Sequence, residues 1–514
     1  MKISDVKIYE NLTDEEVFKI ACEKNRIDAK KVIEWIITKK SVDARKKDDV
    51  HFSYSFDLLM QGEERKQEKN LLLVESNFDF SQRPVVVGAG PAGLFAAYTL
   101  ALNGHKPILL EQGKSIEERE KDVEDFIKNR KLNPNSNIQF GEGGAGTFSD
   151  GKLTTNINSK LNKTVLETFV KFGAPKEIMY LSKPHIGTDN LRKIVKNLRE
   201  EIIRLGGEVR FNTKVVDFEV IVKGEYLTPS IRAIITDKSE RIETHNVILA
   251  IGHSARSTFE RLYELGVSME PKPFSVGVRI EHLQSKINEA QYGNKTKLKL
   301  PPAEYKMAYH RDDGRACYTF CMCPGGYVTA SSSEEGTIVT NGMSYYNRDG
   351  ENANAALLVS ITPNDFMKDN NPLNGIYFQK ELEKKAFNMA GSNYNAPAQR
   401  VEDYLNENVE GISVKPSYKP GVTACDLNEL FPSYINKTLK EGIKYFGTKL
   451  NGFDKDAVLT AVESRSSSPV RITRDFAMNS SIHGIHPCGE GAGYAGGIMT
   501  AAIDGIKVAQ SIII

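Results

Sequence analysis

Three glycines at a fixed spacing have the clearest chemical use in this chain of 514 residues. Gly88, Gly90 and Gly93 form a G-x-G-x-x-G pattern in "PVVVGAGPAGLFAAYTL", where an apolar strand runs into a helix. A second strand, "PILLEQG", carries Glu111 at its end. In such a βαβ unit the glycines allow a tight turn, a close approach of pyrophosphate and close helix packing, while the acid binds a ribose. The pattern therefore predicts a dinucleotide site at residues 84–113.

A second glycine-rich stretch, residues 486–505, has the sequence "HPCGEGAGYAGGIMTAAIDG" and predicts a strand, a glycine turn and a helix. A simple NAD-binding domain closes its site within one contiguous unit. This chain instead resembles flavoproteins of the two-dinucleotide-binding type, whose FAD has its ADP at the first turn and its flavin at a late one. The resemblance implies that Gly489 and Glu490 contact the ribityl chain or pyrophosphate, with Glu490 where the usual motif has aspartate. It also implies that the helix after Gly496 and Gly497 points its positive end at the flavin N1–O2 edge.

Further motifs extend this resemblance over nearly the whole chain. They are "FGEGGAGTFSDGKL", "FSVGVRIEH", "MCPGGYV", "VTNGMSYYNRDGENANAALLVS", "VESRSSSPVRI" and "GEGAGYAGGIMTAAIDG". With them the chain resembles a family of bacterial FAD-dependent dehydrogenase-like proteins, which implies FAD and an oxidoreductase. The expected cofactor-binding residues are Gly88, Ala89, Gly90, Pro91, Ala92, Gly93, Glu111, Gln112, Gly144, Ala145, Gly146, Thr147, Val215, Gly252, Gly489, Glu490, Gly497 and Ile498.

The loop "GTFSDGKL", residues 146–153, nearly matches a P-loop. Lys152 is followed by Leu153 instead of the Ser or Thr that would hold a metal ion, and no long apolar strand precedes the loop. We therefore expect a glycine-rich loop over the flavin or its pyrophosphate, with Lys152, Ser149 and Thr147 as donors to flavin N5, O4 or substrate. The alternative is a surface turn that is rich in glycine for its own backbone angles.

Cysteine and histidine patterns raise two other chemistries. Cys321 and Cys323 would place both sulfurs on one face of a strand, as a redox dithiol requires, but small buried strand residues are the more common case. Histidines at 483 and 486 with Cys488 suggest a metal, yet packing beside the late strand is the better interpretation. We expect no metal site, and the six cysteines show no disulfide-framework spacing.

Arginine and histidine side chains supply the remaining catalytic candidates. "ESRSSSPVRITR" concentrates guanidinium groups that could hold an anionic substrate or the pyrophosphate, with an exposed or internally paired loop as the alternative. His282 is a candidate proton donor, and His253 is a similar one. The predicted catalytic residues are therefore Lys152, His282 and Arg465.

Composition and patterning give the domain organisation. Residues 1–80 predict a small α+β module, with "VKIYE" and "DVHFSYSFDLLM" as strands, a capped helix from Thr13 and a second helix over 28–40. Residues 81–270 and 475–514 predict the two parts of a Rossmann-like α/β FAD-binding domain. Residues 271–410 predict an inserted β-rich substrate domain, with 411–474 as a mixed part of it.

The overall function class follows from these patterns. A net charge of +1 and the lack of a spanning apolar run or a secretory signal favour a cytoplasmic protein, with no membrane and no nucleic-acid partner. We expect an FAD-dependent oxidoreductase that transfers hydride through flavin N5 to or from a small substrate, neutral or anionic. The other G-x-G-x-x-G stretches, residues 141–146 and 491–496, lie in the loop and the late turn already assigned to FAD. No separate nucleotide motif is left for NAD(P)H, so NAD(P)H binds transiently or not at all. The alternatives are a flavin monooxygenase and a non-catalytic FAD-containing binding protein.

Overall fold

The computed structural model describes residues 1–65, 69–74, 82–155, 157–223, 228–412 and 414–514. The predicted boundary between residues 80 and 81 lies outside the described residues. The strands are, in chain order, β1 (Lys2–Ile8), β2 (Val32–Asp43), β3 (His51–Met60), β4 (Val85–Val87), β5 (Ile108–Leu110), β6 (Glu208–Arg210), β7 (Val215–Lys223), β8 (Thr228–Thr236), β9 (Arg241–Glu243), β10 (Val247–Leu249), β11 (Met269–Pro271), β12 (Phe274–Leu283), β13 (Ala308–His310), β14 (Ala316–Cys323), β15 (Tyr327–Ala330), β16 (Thr340–Met343), β17 (Asn352–Ile361), β18 (Ala396–Arg400), β19 (Val422–Ala424), β20 (Val458–Glu463), β21 (Val470–Ile472) and β22 (Ile485–Pro487). The α-helices are α1 (Asp14–Lys24), α2 (Pro91–Leu102), α3 (Ile116–Asn129), α4 (Leu161–Lys171), α5 (Thr188–Arg204), α6 (Arg256–Glu264), α7 (Gln284–Tyr292), α8 (Pro363–Phe366), α9 (Asn374–Met389), α10 (Val401–Asn406), α11 (Ser433–Lys449) and α12 (Ile498–Ile513).

A five-stranded parallel sheet of order β22-β10-β4-β5-β6 forms the first structural unit. Its inner strands β4, β5 and β10 are apolar and buried at every position, as a parallel sheet covered on both faces requires. Val86, Leu109 and Ile248 pack with helices α2, α4, α5 and α12 on one face. Val85 and Leu110 pack on the other face with the antiparallel sheet β7-β8-β9 and with α6. The predicted Rossmann-like α/β fold is therefore confirmed.

A seven-stranded sheet of order β13-β14-β17-β12-β20-β18-β19 forms the second unit. Its neighbours are antiparallel except β18 and β19, and all of its strands lie between Phe274 and Glu463. The central strands β12 and β17 are almost wholly buried, and their side chains share one core with α9, α10 and α11. The ribbon of β11 and β21 connects this sheet to the parallel one. The predicted β-rich insertion is thus present.

The N-terminal module is a three-stranded antiparallel sheet, β1-β3-β2, covered by α1. Thr13 caps α1 in a capping box with Glu16, as expected. The helix predicted over 28–40 is wrong, because this segment forms β2 after a short 3₁₀ turn. A register shift after Val32 places Val32 and Trp35 three residues apart on the core face. The exposed Ile33 and Ile36 are also apolar, so the apolar residues of β2 have the i, i+3, i+4 spacing of a helix.

Helix α12 returns from the late glycine turn and packs against α2. A Cβ added at Gly505 would lie 2.1 Å from the carbonyl oxygen of Ala92, so only glycine allows the two helices to approach this closely. Although α12 is largely apolar, none of the helices in the described segments is both long and apolar enough to cross a membrane.

Candidate cofactor-binding and active site

A cavity of about 670 Å³ lies between the parallel sheet and the seven-stranded sheet. It opens at the carboxyl ends of β4, β5, β10 and β22, where ligands of parallel α/β sheets bind. On the opposite side it is lined by residues of β14, β16 and β20. Its volume falls in the range of roughly 300–1,000 Å³ that is usual for ligand and cofactor sites.

The first glycine turn forms one end of this cavity. Gly88 has a φ of +100°, and a Cβ there would lie 2.4 Å from the carbonyl oxygen of Ala250. A Cβ at Gly93 would lie 1.8 Å from the carbonyl oxygen of Gly88, so this glycine lets α2 pack directly on the turn. Gly90 is the N-cap of α2 and makes no side-chain cap, which leaves first-turn N–H groups for a ligand.

Glu111 ties this turn to its neighbours. Its carboxylate accepts hydrogen bonds from the backbone N–H of Ala89 (2.8 Å), Gly113 (2.9 Å) and Gly141 (2.9 Å). A carboxylate has about four lone-pair sites, so one remains for a ligand. Glu111 also lines the cavity, and its contact with a ribose stays a prediction.

The glycine-rich loop at residues 141–147 lies against the first turn. The N–H of Gly143 donates to the carbonyl of Ala89 (2.8 Å), and a Cβ at Gly144 would lie 3.0 Å from the Cα of Gly90. The fully buried guanidinium of Arg119 donates to four carbonyl groups of the surrounding segment, those of Asn137, Ile138, Glu142 and Gly144. Arg119 thereby fixes the loop that closes over the turn.

The late glycine turn reaches the same cavity from β22. Gly252, Gly496 and Gly497 line it, and a Cβ added to any of them would meet no protein atom within 4 Å. The Glu490 carboxylate accepts from the N–H of Gly497 (3.3 Å) and lies 3.4 Å from Nδ1 of His253. Glu490 therefore lies at the N-terminus of α12.

These observations fit a dinucleotide. Glycines at 90, 252, 496 and 497 leave backbone open to the cavity at both ends. Nε2 of His253 is buried there without a hydrogen-bond partner. Most of the predicted cofactor residues line the cavity, namely Gly88, Gly90, Pro91, Ala92, Glu111, Gln112, Gly144, Ala145, Gly146, Val215, Gly252, Glu490, Gly497 and Ile498.

Four predicted cofactor residues lie behind the lining instead. Ala89 donates its N–H to Glu111, and Gly93 packs on Gly88. Thr147 accepts a hydrogen bond on its carbonyl oxygen from the Thr188 hydroxyl. The N–H of Gly489 donates to Asp504 (2.8 Å), which also pairs with Arg474, and so it supports the late turn from behind.

An ionic cluster occupies the end of the cavity that faces the seven-stranded sheet. Nζ of Lys152 lies 3.2 Å from the carboxylate of Asp150 and donates to the carbonyl of Met322. Arg348 binds both oxygens of Asp150, at 3.0 and 2.6 Å. Burial acts to raise the pKa of Asp150, but Lys152 and Arg348 outweigh it and hold that pKa well below its usual range. Burial acts to lower the pKa of Lys152, but Asp150 raises it above its usual value, so the ammonium stays charged.

A second ion pair lies beside the first. Arg279 donates to both oxygens of Glu463, at 2.6 and 2.7 Å, and both side chains are almost wholly buried. The same guanidinium donates to the carbonyl of Cys321 (3.0 Å) and to Asn341 (2.9 Å). Arg279 thus holds β14, β16 and β20 together where they meet the cavity.

Two of the predicted catalytic residues have other roles. His282 lies in the core of the seven-stranded sheet, outside the cavity lining, and Nε2 donates to the carbonyl of Phe453 (2.9 Å). Burial lowers the pKa of His282 to about 4, so it is a neutral core residue, and the prediction of a proton donor does not fit its position. Arg465 lines the cavity, but its guanidinium binds both oxygens of Glu383 and the hydroxyl of Ser333. All three nitrogens of the Arg465 guanidinium thus donate to protein groups.

Asp150, Arg348 and Glu463 belong to the site, although no sequence pattern predicted them there. Asp150 and Arg348 each lie next to a glycine in a turn, in "SDGK" and "YNRDG". Such a local pattern predicts a turn, but it does not predict a partner elsewhere in the chain. Nothing in either segment indicates that the other is its partner.

Comparisons with known proteins agree with this architecture. Residues 273–466 match the family model described as "FAD-dependent protein, C-terminal domain-like", and residues 86–116 match an NAD(P)-binding Rossmann-like domain. Residues 2–59 match a domain of unknown function. An uncharacterised protein of Clostridium beijerinckii is 46% identical over 511 residues, which covers 96% of this chain and 94% of that protein.

The solved structures that match this chain do so only distantly. Glycine oxidase from Geobacillus kaustophilus is 10% identical, with 84% of this chain and 95% of that chain covered and a TM-score of 0.35. L-proline dehydrogenase from P. horikoshii is 13% identical, with 85% and 94% covered and a TM-score of 0.34. Nothing about substrate or activity follows from them. By its Clostridium relative and its match over residues 273–466, the chain belongs to a family of FAD-dependent proteins that carry a Rossmann-like nucleotide-binding domain.

Proposed function

We propose that this protein is an FAD-dependent oxidoreductase in which a hydride is exchanged with flavin N5 at the end of the cavity that holds Lys152 and Arg348. One observation carries the proposal. A single cavity connects the glycine turn and Glu111 at one end with the buried ionic cluster around Asp150 at the other. Binding of FAD does not by itself require that cluster, and charged groups that are buried beside a cavity are candidates for a functional site.

The chain's own groups would divide the work along the cavity. The N–H groups at the start of α2 would hold the pyrophosphate, and the backbone at Gly496 and Gly497 would lie against the ring system. When bound, FAD supplies a two-electron hydride acceptor, while the protein supplies orientation and electrostatics. Lys152 would place a fixed positive charge, held by Asp150, beside the reacting edge.

The charge of the cluster favours a small anionic substrate or an anionic form of the reduced flavin. Lys152 and Arg348 share one carboxylate, that of Asp150, so their group carries one uncompensated positive charge. Attraction between unlike charges strengthens where water is excluded. NAD(P)H is the first electron donor to test. The proposal also includes a cytoplasmic location for the protein.

The test is an anaerobic titration of the FAD-loaded protein with NADH and then NADPH, followed by flavin absorbance. Rapid bleaching by either would establish a nicotinamide-driven reductase, whereas a yellow protein that resists both but bleaches with an organic donor would establish a dehydrogenase. Lys152→Met should slow bleaching at least tenfold without loss of bound FAD. Lys183→Met is the control, because Lys183 lies at the cavity margin, pairs with Glu304 and is 67% exposed.

Three outcomes would contradict the proposal. A protein that binds no added FAD would exclude a flavin enzyme. A bound flavin that no donor reduces, in a protein that retains a partner macromolecule, would favour a non-catalytic binding protein. Oxygen consumption coupled to a hydroxylated product would instead identify a monooxygenase.

A further inference from the structure

The strand β14 carries a bulge where it meets the cavity. Phe320 pairs with Ala356 of β17, and Cys323 pairs with Asn354, so β14 has one extra residue between the two pairs. Cys321 lies in this bulge with a φ of +43°, in the left-handed region that residues other than glycine rarely adopt. Bulges beside active sites commonly redirect a side chain, and Cys321 is partly exposed and lines the cavity.

The second thiol of the sequence "CMC" lies directly behind the first. Cys323 is buried, and its Sγ lies 3.3 Å from the carbonyl oxygen of Cys321. The carbonyl of Met322 between them accepts the hydrogen bond from Lys152. Lys152, which lines the cavity, is therefore hydrogen-bonded to the backbone between the two cysteines.

Cations outnumber anions among the ion pairs beside these thiols. Lys152, Arg348 and Arg279 contribute three cations, and Asp150 and Glu463 contribute two anions. This excess of cations favours the thiolate form of a cysteine at this place. Reactive cysteines occupy this kind of electropositive, partly exposed environment, whereas structural buried cysteines are inert.

The pKa shifts agree with that arrangement. The hydrogen bond from the Cys323 thiol lowers the pKa of Cys321 to about 5, burial opposes this shift, and Lys152 and Arg279 add to it. The pKa of Cys323 moves in the opposite direction, well above its usual value, because its proton is held by Cys321 and it is buried. Burial raises the pKa of the other thiols, which are Cys22, Cys317, Cys425 and Cys488.

We propose that Cys321 and Cys323 form a redox-active dithiol that exchanges two electrons with the FAD of this protein. The proposal rests on the proposed function, because it requires a bound, reducible flavin. In the oxidising direction the Cys321 thiolate and the Cys323 thiol form a disulfide, and the S–H bond of Cys323 breaks. The electron pair passes to FAD, which takes up that proton and one from solvent to give FADH₂. In the reverse direction FADH₂ cleaves the disulfide and regenerates thiolate, thiol and FAD with release of one proton.

This assignment gives the bulge a function. A regular β14 would place Cys321 and Cys323 on one face of the sheet. In the bulged strand Cys321 lines the cavity, and Cys323 is buried with its Sγ 3.3 Å from the carbonyl oxygen of Cys321. Cys321 is the sulfur that faces the cofactor, and Cys323 is the resolving thiol.

The first measurement uses wild-type holoprotein and needs no catalytic assay. The protein is oxidised in air, unfolded in denaturant with excess alkylating agent, digested and weighed, so that thiols are tagged and a disulfide is not. We expect the peptide with Cys321 and Cys323 to be untagged after oxidation and doubly tagged after anaerobic reduction with dithionite. Two tagged thiols under both conditions would overturn the proposal, whatever the flavin does.

The second measurement counts electrons. Anaerobic dithionite titration should take up about four electrons per FAD in the wild type, two in the flavin and two in the disulfide, and about two in Cys321→Ser and Cys323→Ser. Cys425→Ser is the control, because Cys425 lies outside the cavity lining and its thiol donates to the carbonyl of Met389. Uptake of two electrons by the wild type, with normal bleaching, would refute the dithiol and leave the oxidoreductase intact. Absence of reducible FAD would refute both.

Discussion

Replacing Gly93 by alanine tests whether the first glycine turn holds the cofactor. The added Cβ would lie 1.8 Å from the carbonyl oxygen of Gly88, and real Cβ atoms essentially never approach a neighbour within 3.0 Å. The obstructing atom is backbone, which cannot rotate away as a side chain can. The start of α2 must therefore move from the turn by about 1 Å, since the interior is close-packed and offers no other relief.

The magnitude follows from the groups that move. The N–H groups at the start of α2 are those proposed to hold the pyrophosphate, and a hydrogen bond to a charged group contributes about 1.5–3 kcal/mol. Losing the geometry of one such bond weakens FAD binding roughly tenfold to a hundredfold, since 1.4 kcal/mol is a factor of ten. Overpacking costs about 1–3 kcal/mol of stability, partly offset by up to about 1 kcal/mol from the better helix propensity of alanine.

The assay compares FAD dissociation constants of reconstituted apoproteins, by quenching of flavin fluorescence. Gly104→Ala is the matched control at the other end of α2, because Gly104 has a φ of +84° and open space around its Cβ position. A left-handed alanine costs roughly 1–2 kcal/mol, so the control loses similar stability without moving the turn. A wild-type dissociation constant for folded Gly93→Ala, or an equal loss in both variants, would refute the assignment.

Two further predictions concern buried charge. Glu383→Gln should lower the free energy of unfolding by about 3–5 kcal/mol in urea denaturation, because it leaves the guanidinium groups of Arg256 and Arg465 buried without their shared carboxylate. The control Lys128→Met breaks an exposed ion pair and should change the free energy of unfolding by less than about 1 kcal/mol. Equal effects of the two substitutions would contradict the role of burial. His282, with a pKa lowered to about 4, takes up its proton in the unfolded chain first, so between pH 6.5 and 4 stability should fall with decreasing pH by up to about 1.4 kcal/mol per unit. His282→Gln should flatten that slope, and an unchanged slope would show that the histidine is not buried neutral.

Local chemistry made the first glycine turn predictable. The order of apolar strand, glycines, helix and acid occurs within residues 84–113, and the structure forms β4, α2 and β5 there with Glu111 at the end of β5. Each of those features can be recognised from the periodicity or the composition of a short stretch of sequence. The helix prediction for residues 28–40 failed because Ile33 and Ile36 are apolar although they are exposed, and with Val32 and Trp35 they give β2 an apolar spacing that resembles a helix.

The ionic cluster could not be predicted, because its partners are far apart in sequence. Arg348 and Asp150 are 198 positions apart, and Arg279 and Glu463 are 184 apart. The second pair depends on the register of β12 against β20, which shifts beside Gly277. Only the assembled sheet brings these charges together, so composition and spacing identify the residue types but not their pairing. The direction of Cys321 likewise depends on a bulge that alternation does not reveal.

The order of strands in the parallel sheet has a consequence for biosynthesis. The strand β22 pairs with β10, and α12 packs on α2, so residues 485–513 complete the site that Gly88 begins. A ribosome that makes about 5–20 residues per second needs roughly 20–80 s to pass from the first turn to the last. During that interval the nascent chain exposes the apolar faces of α2 and β10, with no cofactor site to fill. Cofactor loading must therefore follow synthesis of α12, and a chain cut short before β22 should depend on chaperones and remain colourless.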